Sequence, residues 1–237
     1  MSFNQIIVIG LVIFMVWWLI GGLINQRRGQ AWLDWLQDGV KELGTIESTR
    51  WLRSFHSVGL ITVRDLRDPF RSLDILFTLE RRDNIIVWAL RHMRGRRDEM
   101  IIQADLETDP VQELEVGYRG RTSYDVYLDR QKDSPFTQLG EQDGFRIARR
   151  GGEDQYSIAR LREFLSGQGK VIQRMSLQCI FHGEERSMSR RKDNNLLLRA
   201  DMTRMDAQSP AVFFAALREW ADHIALETGE GAERPPG

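Results

Sequence analysis

The chain reads as an α+β protein: one N-terminal transmembrane helix, then a mainly antiparallel sheet domain with packed helices, in which two related halves are an open alternative. Three observations predict this class. Residues 6–24 (IIVIGLVIFMVWWLIGGLI) carry no charge. Short runs rich in β-branched and apolar residues follow, set off by Asp, Pro and Gly turns. Between and after them stand segments whose apolar residues recur at three- and four-residue steps, the period of a helix.

The apolar run comes first because everything else is placed relative to it. At about 1.5 Å rise per residue its nineteen residues extend roughly 28 Å, close to the ~30 Å hydrocarbon thickness of a bilayer. A core helix of a water-soluble domain would show a polar stripe, and this run has none. A cleaved signal peptide would want a basic n-region, a shorter apolar stretch and a small-residue cleavage site. Residues 1–5 hold no basic side chain, and the run leads directly into Asn25-Gln26-Arg27-Arg28. The expectation is therefore a retained anchor over residues 1–28. Arg27, Arg28 and then Lys41 lie after the span and nothing basic but the α-amino group lies before it. By the positive-inside rule the N-terminus is expected outside the cell membrane and the C-terminal domain in the cytoplasm.

The rest of the chain, roughly 210 residues, is long enough to bury a substantial core. The lone cysteine, Cys179, excludes an internal disulfide framework. A formal net charge of −1 lacks the domain-wide basic balance of a nucleic-acid binder, and none is expected as a partner. Of the 33 basic residues only four are lysines, so the cationic side chains are mainly guanidinium groups, which suit phosphates and carboxylates.

After a hinge at Gly29, residues 29–44 are expected to form a juxtamembrane amphipathic helix with Trp32, Leu33, Leu36, Val40 and Leu43 on one side and Gly44 as its stop. Trp32 and Trp35, with Arg27 and Arg28, are candidate membrane-interface residues, since tryptophan favours that boundary. Packing of the two tryptophans against the domain is the alternative. Residues 45–227 form the expected α+β domain. Strands are predicted at 57–64 and 72–80 around an Asp68-Pro69 turn, then a helix from the Asp83-Asn84 cap to about residue 94, ended by Gly95, then a strand at 100–107. A second block repeats this grammar: strands at 123–129 and 144–149, a helix at 154–166, and strands at 171–181 and 195–203. The last helix starts from Ser209 and Pro210 and carries Phe213, Leu217, Trp220 and Ile224 as a stripe. Residues 228–237 read as a disordered tail. Residues 101–106 (IIQADL) and 197–202 (LLRADM) share a pattern at an offset of 96, each after a basic arm, which makes 45–110 and 118–227 candidate duplicated halves.

The basic arms are the most suggestive features for function. Arg91, Arg94, Arg96 and Arg97 crowd the end of an apolar-faced helix, and Arg190, Arg191 and Lys192 form the second cluster. Either would suit lipid headgroup phosphates or an acidic partner. The competing account is a solvated helix end whose arginines complement the helix dipole. Cys179 and His182 have a metal-like spacing but no further ligands, so no metal is expected. His56, His92, His182 and His223 belong to no metalloprotease or nucleophile-elbow motif. Gly167-Gln168-Gly169-Lys170 lacks the full phosphate-loop pattern. Asp105 and Glu107 have no acid–base partner in the sequence. Tyr118, Tyr124 and Tyr127 beside Arg119 and Arg121 suit cross-strand packing better than base stacking. No cofactor is implied. The expectation is a membrane-anchored, non-enzymatic protein-interaction module or membrane-complex subunit; the alternative is a lipid- or small-ligand-binding domain held at the membrane surface.

Overall fold

The computed structural model describes residues 2–52, 57–110, 112–118, 136–151, 155–178, 195–205 and 208–230, with side chains to residue 225 in the last stretch. The chain opens with α1, Phe3–Val40, a single helix of 38 residues. At 1.5 Å per residue it is about 57 Å long. The expected hinge at Gly29 is absent. A glycine in a helix interior costs about 1 kcal/mol relative to alanine, which packing readily offsets; here Gly29 is buried and the next turns bury Trp32, Leu33, Leu36 and Val40 in the core. The two segments expected as an anchor and a separate juxtamembrane helix are thus one rod. It ends in a tight turn in which the Leu43 and Gly44 amides both donate to the Val40 carbonyl. Gly44 has no left-handed backbone; it is small because a Cβ there would lie 2.6 Å from the Arg64 carbonyl oxygen.

Among the described residues nine strands follow: β1 Thr45–Trp51, β2 Val58–Arg64, β3 Phe70–Thr78, β4 Glu99–Leu106, β5 Gln112–Tyr118, β6 Thr137–Gln142, β7 Phe145–Gly151, β8 Ile172–Leu177 and β9 Leu196–Asp201. They form one sheet in the order β1-β2-β3-β4-β9-β8-β5-β7-β6, every pairing antiparallel. The first block is a meander, whereas in the second β8 lies between β5 and β9. The two segments whose patterns matched in sequence, in β4 and β9, pair with each other at the seam of the sheet.

Helix α2 (Ile85–Met93) bridges β3 and β4, α3 (Gln155–Gln168) precedes β8, and α4 (Pro210–Glu230) follows a 3-10 turn at Met202–Arg204. α4 therefore runs slightly beyond the expected start of the tail at Thr228. α1 and α3 both pack against α4. Along β4 the residues Met100, Ile102, Ala104 and Leu106 are buried while Ile101, Gln103 and Asp105 are half-buried, the alternation of a sheet covered by helices on one face. The predicted stripe of the last helix, Phe213, Leu217, Trp220 and Ile224, is buried throughout. On the opposite face Leu60, Leu76 and Ile101 stand in register, half-buried, with Arg50 and Arg199 at the two ends of the row. The predicted strand at 123–129 lies outside the described residues.

Candidate functional site

The residues that junction α1 to the domain come from one stripe of that helix. Trp17, Gly21, Asn25, Arg28, Trp32 and Leu36 succeed one another at steps of four and three, so they share a face. The segment between β3 and α2 crosses this stripe. The Trp17 indole Nε1 donates to the Arg82 carbonyl at 2.9 Å. One turn on, the Arg82 backbone sits so close to Gly21 that a Cβ there would fall 2.0 Å from the carbonyl oxygen. A further turn on, the Arg82 guanidinium donates to the Asn25 Oδ1 at 3.0 Å. Helix, glycine and loop backbone are thus mutually fitted.

Beneath the crossing lies a charge cluster. Arg82 Nη2 reaches both carboxylate oxygens of Asp98, at 3.2 and 3.1 Å, and Asp98 is fully buried. Asp98 Oδ1 also accepts from the Glu80 amide at 2.7 Å, and Arg28 Nε approaches its Oδ2 at 3.5 Å. Glu80 Oε2 takes the Trp88 indole N–H at 3.2 Å and faces His92 Nδ1 at 3.3 Å, so α2 is tied down by its polar edge. Arg81 is held on Asp83 by a 2.6 Å hydrogen bond, and that bond, reinforced by the carboxylate charge, raises its pKa. Buried ions that are mutually paired and hydrogen-bonded persist, while removal of one member strands the others.

The predicted site residues divide. Arg28 belongs to this cluster, and Arg27 is exposed. Trp32 and Trp35 correct the expectation of an interface pair. Trp32 is only 4 % exposed, and Trp35 packs on Trp32 and Phe214 while donating to the Gln208 carbonyl at 3.2 Å. They are interior because the stripe that carries them continues into the core. The aromatic residues at the end of the exposed part of α1 are instead Trp17, Trp18 and, 6.4 Å from Trp17, Trp88 of α2. Arg91, Arg94 and Arg96 are exposed, and among the described residues no ion pair engages them. Arg97 turns back to donate to the His92 carbonyl at 3.0 Å, capping the C-terminus of α2. Arg190, Arg191 and Lys192, together with Cys179 and His182, lie outside the described residues.

Sequence reasoning missed Arg82, Asp98 and Asn25. The signal was present in the small and polar residues Gly21, Asn25 and Arg28 spaced along one face of an otherwise apolar helix. A second buried cluster, also missed, sits in β5: Glu115 meets Arg174 Nη2 at 3.3 Å and accepts a short hydrogen bond from the Ser176 hydroxyl. Burial outweighs both partners and raises the Glu115 pKa. Among the described residues no group of three or more His, Cys, Asp or Glu side chains could hold a metal ion.

A groove of about 440 Å³ runs along Gly10, Ile13, Phe14, Trp17 and Ile20 of α1, with Ile85 among its lining residues. A smaller one, about 130 Å³, lies between α3 and α4 beside Phe164, Gln168 and Trp220. Compared with protein-family models and with curated proteins, the chain matches none.

Proposed function

We propose that this chain is a single-pass membrane-anchored protein whose α+β domain, on the cytoplasmic side, serves as a non-enzymatic interaction module or as a subunit of a membrane complex. The observation that carries the reading is the division of α1. From Phe3 to Ile20 it is exposed around its whole circumference, with only Trp17 half-covered, yet the same helix continues into the core of the domain. These eighteen residues extend about 27 Å, close to the depth of a hydrocarbon layer. A core helix would be covered by its own domain, and here the most apolar window is 11 % buried. A cleavable leader would not share an unbroken helix with core residues. The basic residues Arg27 and Arg28 follow the exposed part, which supports the cytoplasmic orientation. Tethering then confines the domain near membrane partners and raises their effective concentration.

A lipid- or small-ligand-binding domain would be favoured by a deep apolar cavity between the sheet and the last helix, whereas Phe213, Phe214, Leu217 and Trp220 of that helix are buried in the core cluster. The half-buried apolar row of Leu60, Leu76 and Ile101 on the other face of the sheet supports a protein partner. The test has two arms. Carbonate extraction should leave the full chain in the membrane pellet, and release into the aqueous fraction overturns the anchor. In gently solubilised membranes the chain should migrate in a complex larger than itself that Ile101→Glu dissolves; a lone chain, or a complex indifferent to Ile101→Glu, overturns the interaction role of this face.

A further inference from the structure

The helix α2 is built inside out. An amphipathic helix on a folded domain turns its apolar side inward, but α2 has no buried residue at all. The edge that faces the protein carries Trp88 and His92, which meet the Glu80 carboxylate. The opposite side presents Ile86, Leu90 and Met93, exposed to 66 %, 50 % and 82 %. Asn84 caps its start by accepting from the Val87 amide, and Gly95, with φ +75°, ends it, so it is a defined nine-residue element. At about 13 Å it is too short to cross a bilayer.

Its position supplies the occupant of that apolar face. α2 touches α1 at Trp17 and, through Ile85, lines one side of the groove that runs back along the exposed rod to Gly10. Ile85 and its neighbour Ile86 are both exposed, so apolar surface runs from the groove of α1 onto the start of α2, at the end where the buried ions of Arg82 and Asp98 begin. Tryptophans cluster at this level, as they do at membrane interfaces. The exposed guanidinium groups of Arg91, Arg94 and Arg96 complete a side whose chemistry complements an anionic bilayer surface: apolar residues flanked by cations that no ion pair engages among the described residues.

Resting on the anchored reading of α1, we propose that α2 lies in the plane of the bilayer interface as a second membrane contact, with Ile86, Leu90 and Met93 among the acyl chains and Arg91, Arg94 and Arg96 at the headgroups. With α1 as a rod and α2 as a foot fixed to it by Trp17, Gly21 and Glu80, the domain is held at one height and one rotation relative to the membrane.

The test uses the full chain with Cys179→Ser, carrying single probe cysteines at Leu11, Met93 or Gln37, labelled with an environment-sensitive fluorophore and reconstituted into vesicles of zwitterionic and anionic phospholipid. Lipids with a quencher at set depths read the position of each probe. The expected result is deep quenching at Leu11, quenching at Met93 by shallow quenchers with a depth of about 5–10 Å, and none at Gln37. In Arg91→Gln/Arg94→Gln/Arg96→Gln the Met93 probe should move outward as the anionic fraction is lowered less than in the parent, because the charge-dependent part of the contact is gone. Quenching at Leu11 with a water-accessible Met93 probe overturns the foot and leaves the anchor standing. A Met93 probe shielded from water yet unquenched by lipid assigns the face to a protein and overturns the proposal as well. Absence of quenching at Leu11 overturns the anchor itself. Met93 is so exposed that its replacement leaves the packing of α2 untouched.

Discussion

The two ends of α1 are chemically alike and physically opposite. Residues 3–20 and residues 29–40 each hold two Trp and two Leu, yet the first stretch is bare but for the half-covered Trp17 and the second buries Trp32, Leu33, Leu36 and Val40 in the core. What differs is the polar pattern. Asp34, Asp38 and the glutamines interrupt the second stretch on its outer side and leave a one-sided stripe, whereas the first has no outer side. The boundary between the two is made by the loop that crosses α1 at Gly21 and by the ions held beneath it. The lesson is that one rigid helix can carry a bare apolar stretch and a core-packed stretch when a polar joint marks the transition between them.

The strongest way to break that division is to attack the joint. Arg82→Ala should lower stability by roughly 3–5 kcal/mol, since it leaves the fully buried Asp98 without its main counter-ion. Chemical denaturation in detergent micelles checks this. Adding Asp98→Asn should recover part of the loss, because the stranded charge is then gone. If Arg82→Ala were as stable as the parent, the joint would not be what holds loop and helix together.

A matched pair of leucines sharpens the contrast itself. Leu36→Ala should cost about 2–5 kcal/mol as a core truncation, while Leu11→Ala should stay within about 0.5 kcal/mol, since Leu11 touches no part of the domain core. Equal losses would show that the outer stretch is sheltered by protein. Glycines offer a smaller version of the same comparison. In Gly21→Ala the new Cβ would meet the Arg82 carbonyl at 2.0 Å, and overpacking of this kind costs typically 1–3 kcal/mol; Gly10→Ala meets nothing within 4 Å and should be silent or slightly stabilising. Trp17 and Trp88 fluorescence would report the loosened crossing in the first variant only.

Much of this architecture was legible in the chain. The apolar run, β2, β3, β4, α2 and the last helix all declare themselves, because in each a single environment imposes a single period. The strands β1, β5 and β6 do not. β5 (QELEVGY) places Glu113 and Glu115 on a face that is itself buried, so its alternation of polar and apolar residues signals an exposed side that the fold does not have. β6 (TQLGEQ) is an edge strand with no buried residue and little apolar character to read. The supposed hinge failed for a tertiary reason: a glycine weakens an isolated helix, but Gly29 is buried in contact with the domain, and close packing overrides propensity. The Arg82–Asp98 pair was invisible because its members come from opposite sides of α2, brought together only by the β3–β4 connection. The tryptophans left two readings open, the membrane boundary and the domain, and Trp32 lies on the face of α1 that continues into the core.

The smallest effect tests whether the domain is indifferent to the outer stretch. Glu115 lies in β5, three steps along the sheet from β4, and its pKa is raised chiefly by burial, against the pull of Arg174 and Ser176. A carboxyl whose folded pKa is raised keeps its proton in the native state after the unfolded chain has released it. Its contribution to stability is therefore full below the ordinary carboxylate range and declines as pH rises from there through the folded pKa. Glu115→Gln should flatten the stability profile across that window and leave the profile above it parallel to the parent. Because the group is remote from α1, the slope removed by the substitution should be the same in detergent micelles as in phospholipid vesicles. A slope present in only one of the two would mean that the lipid environment of α1 reaches across the sheet, and that the joint at Arg82 does not isolate the two halves of the helix from each other.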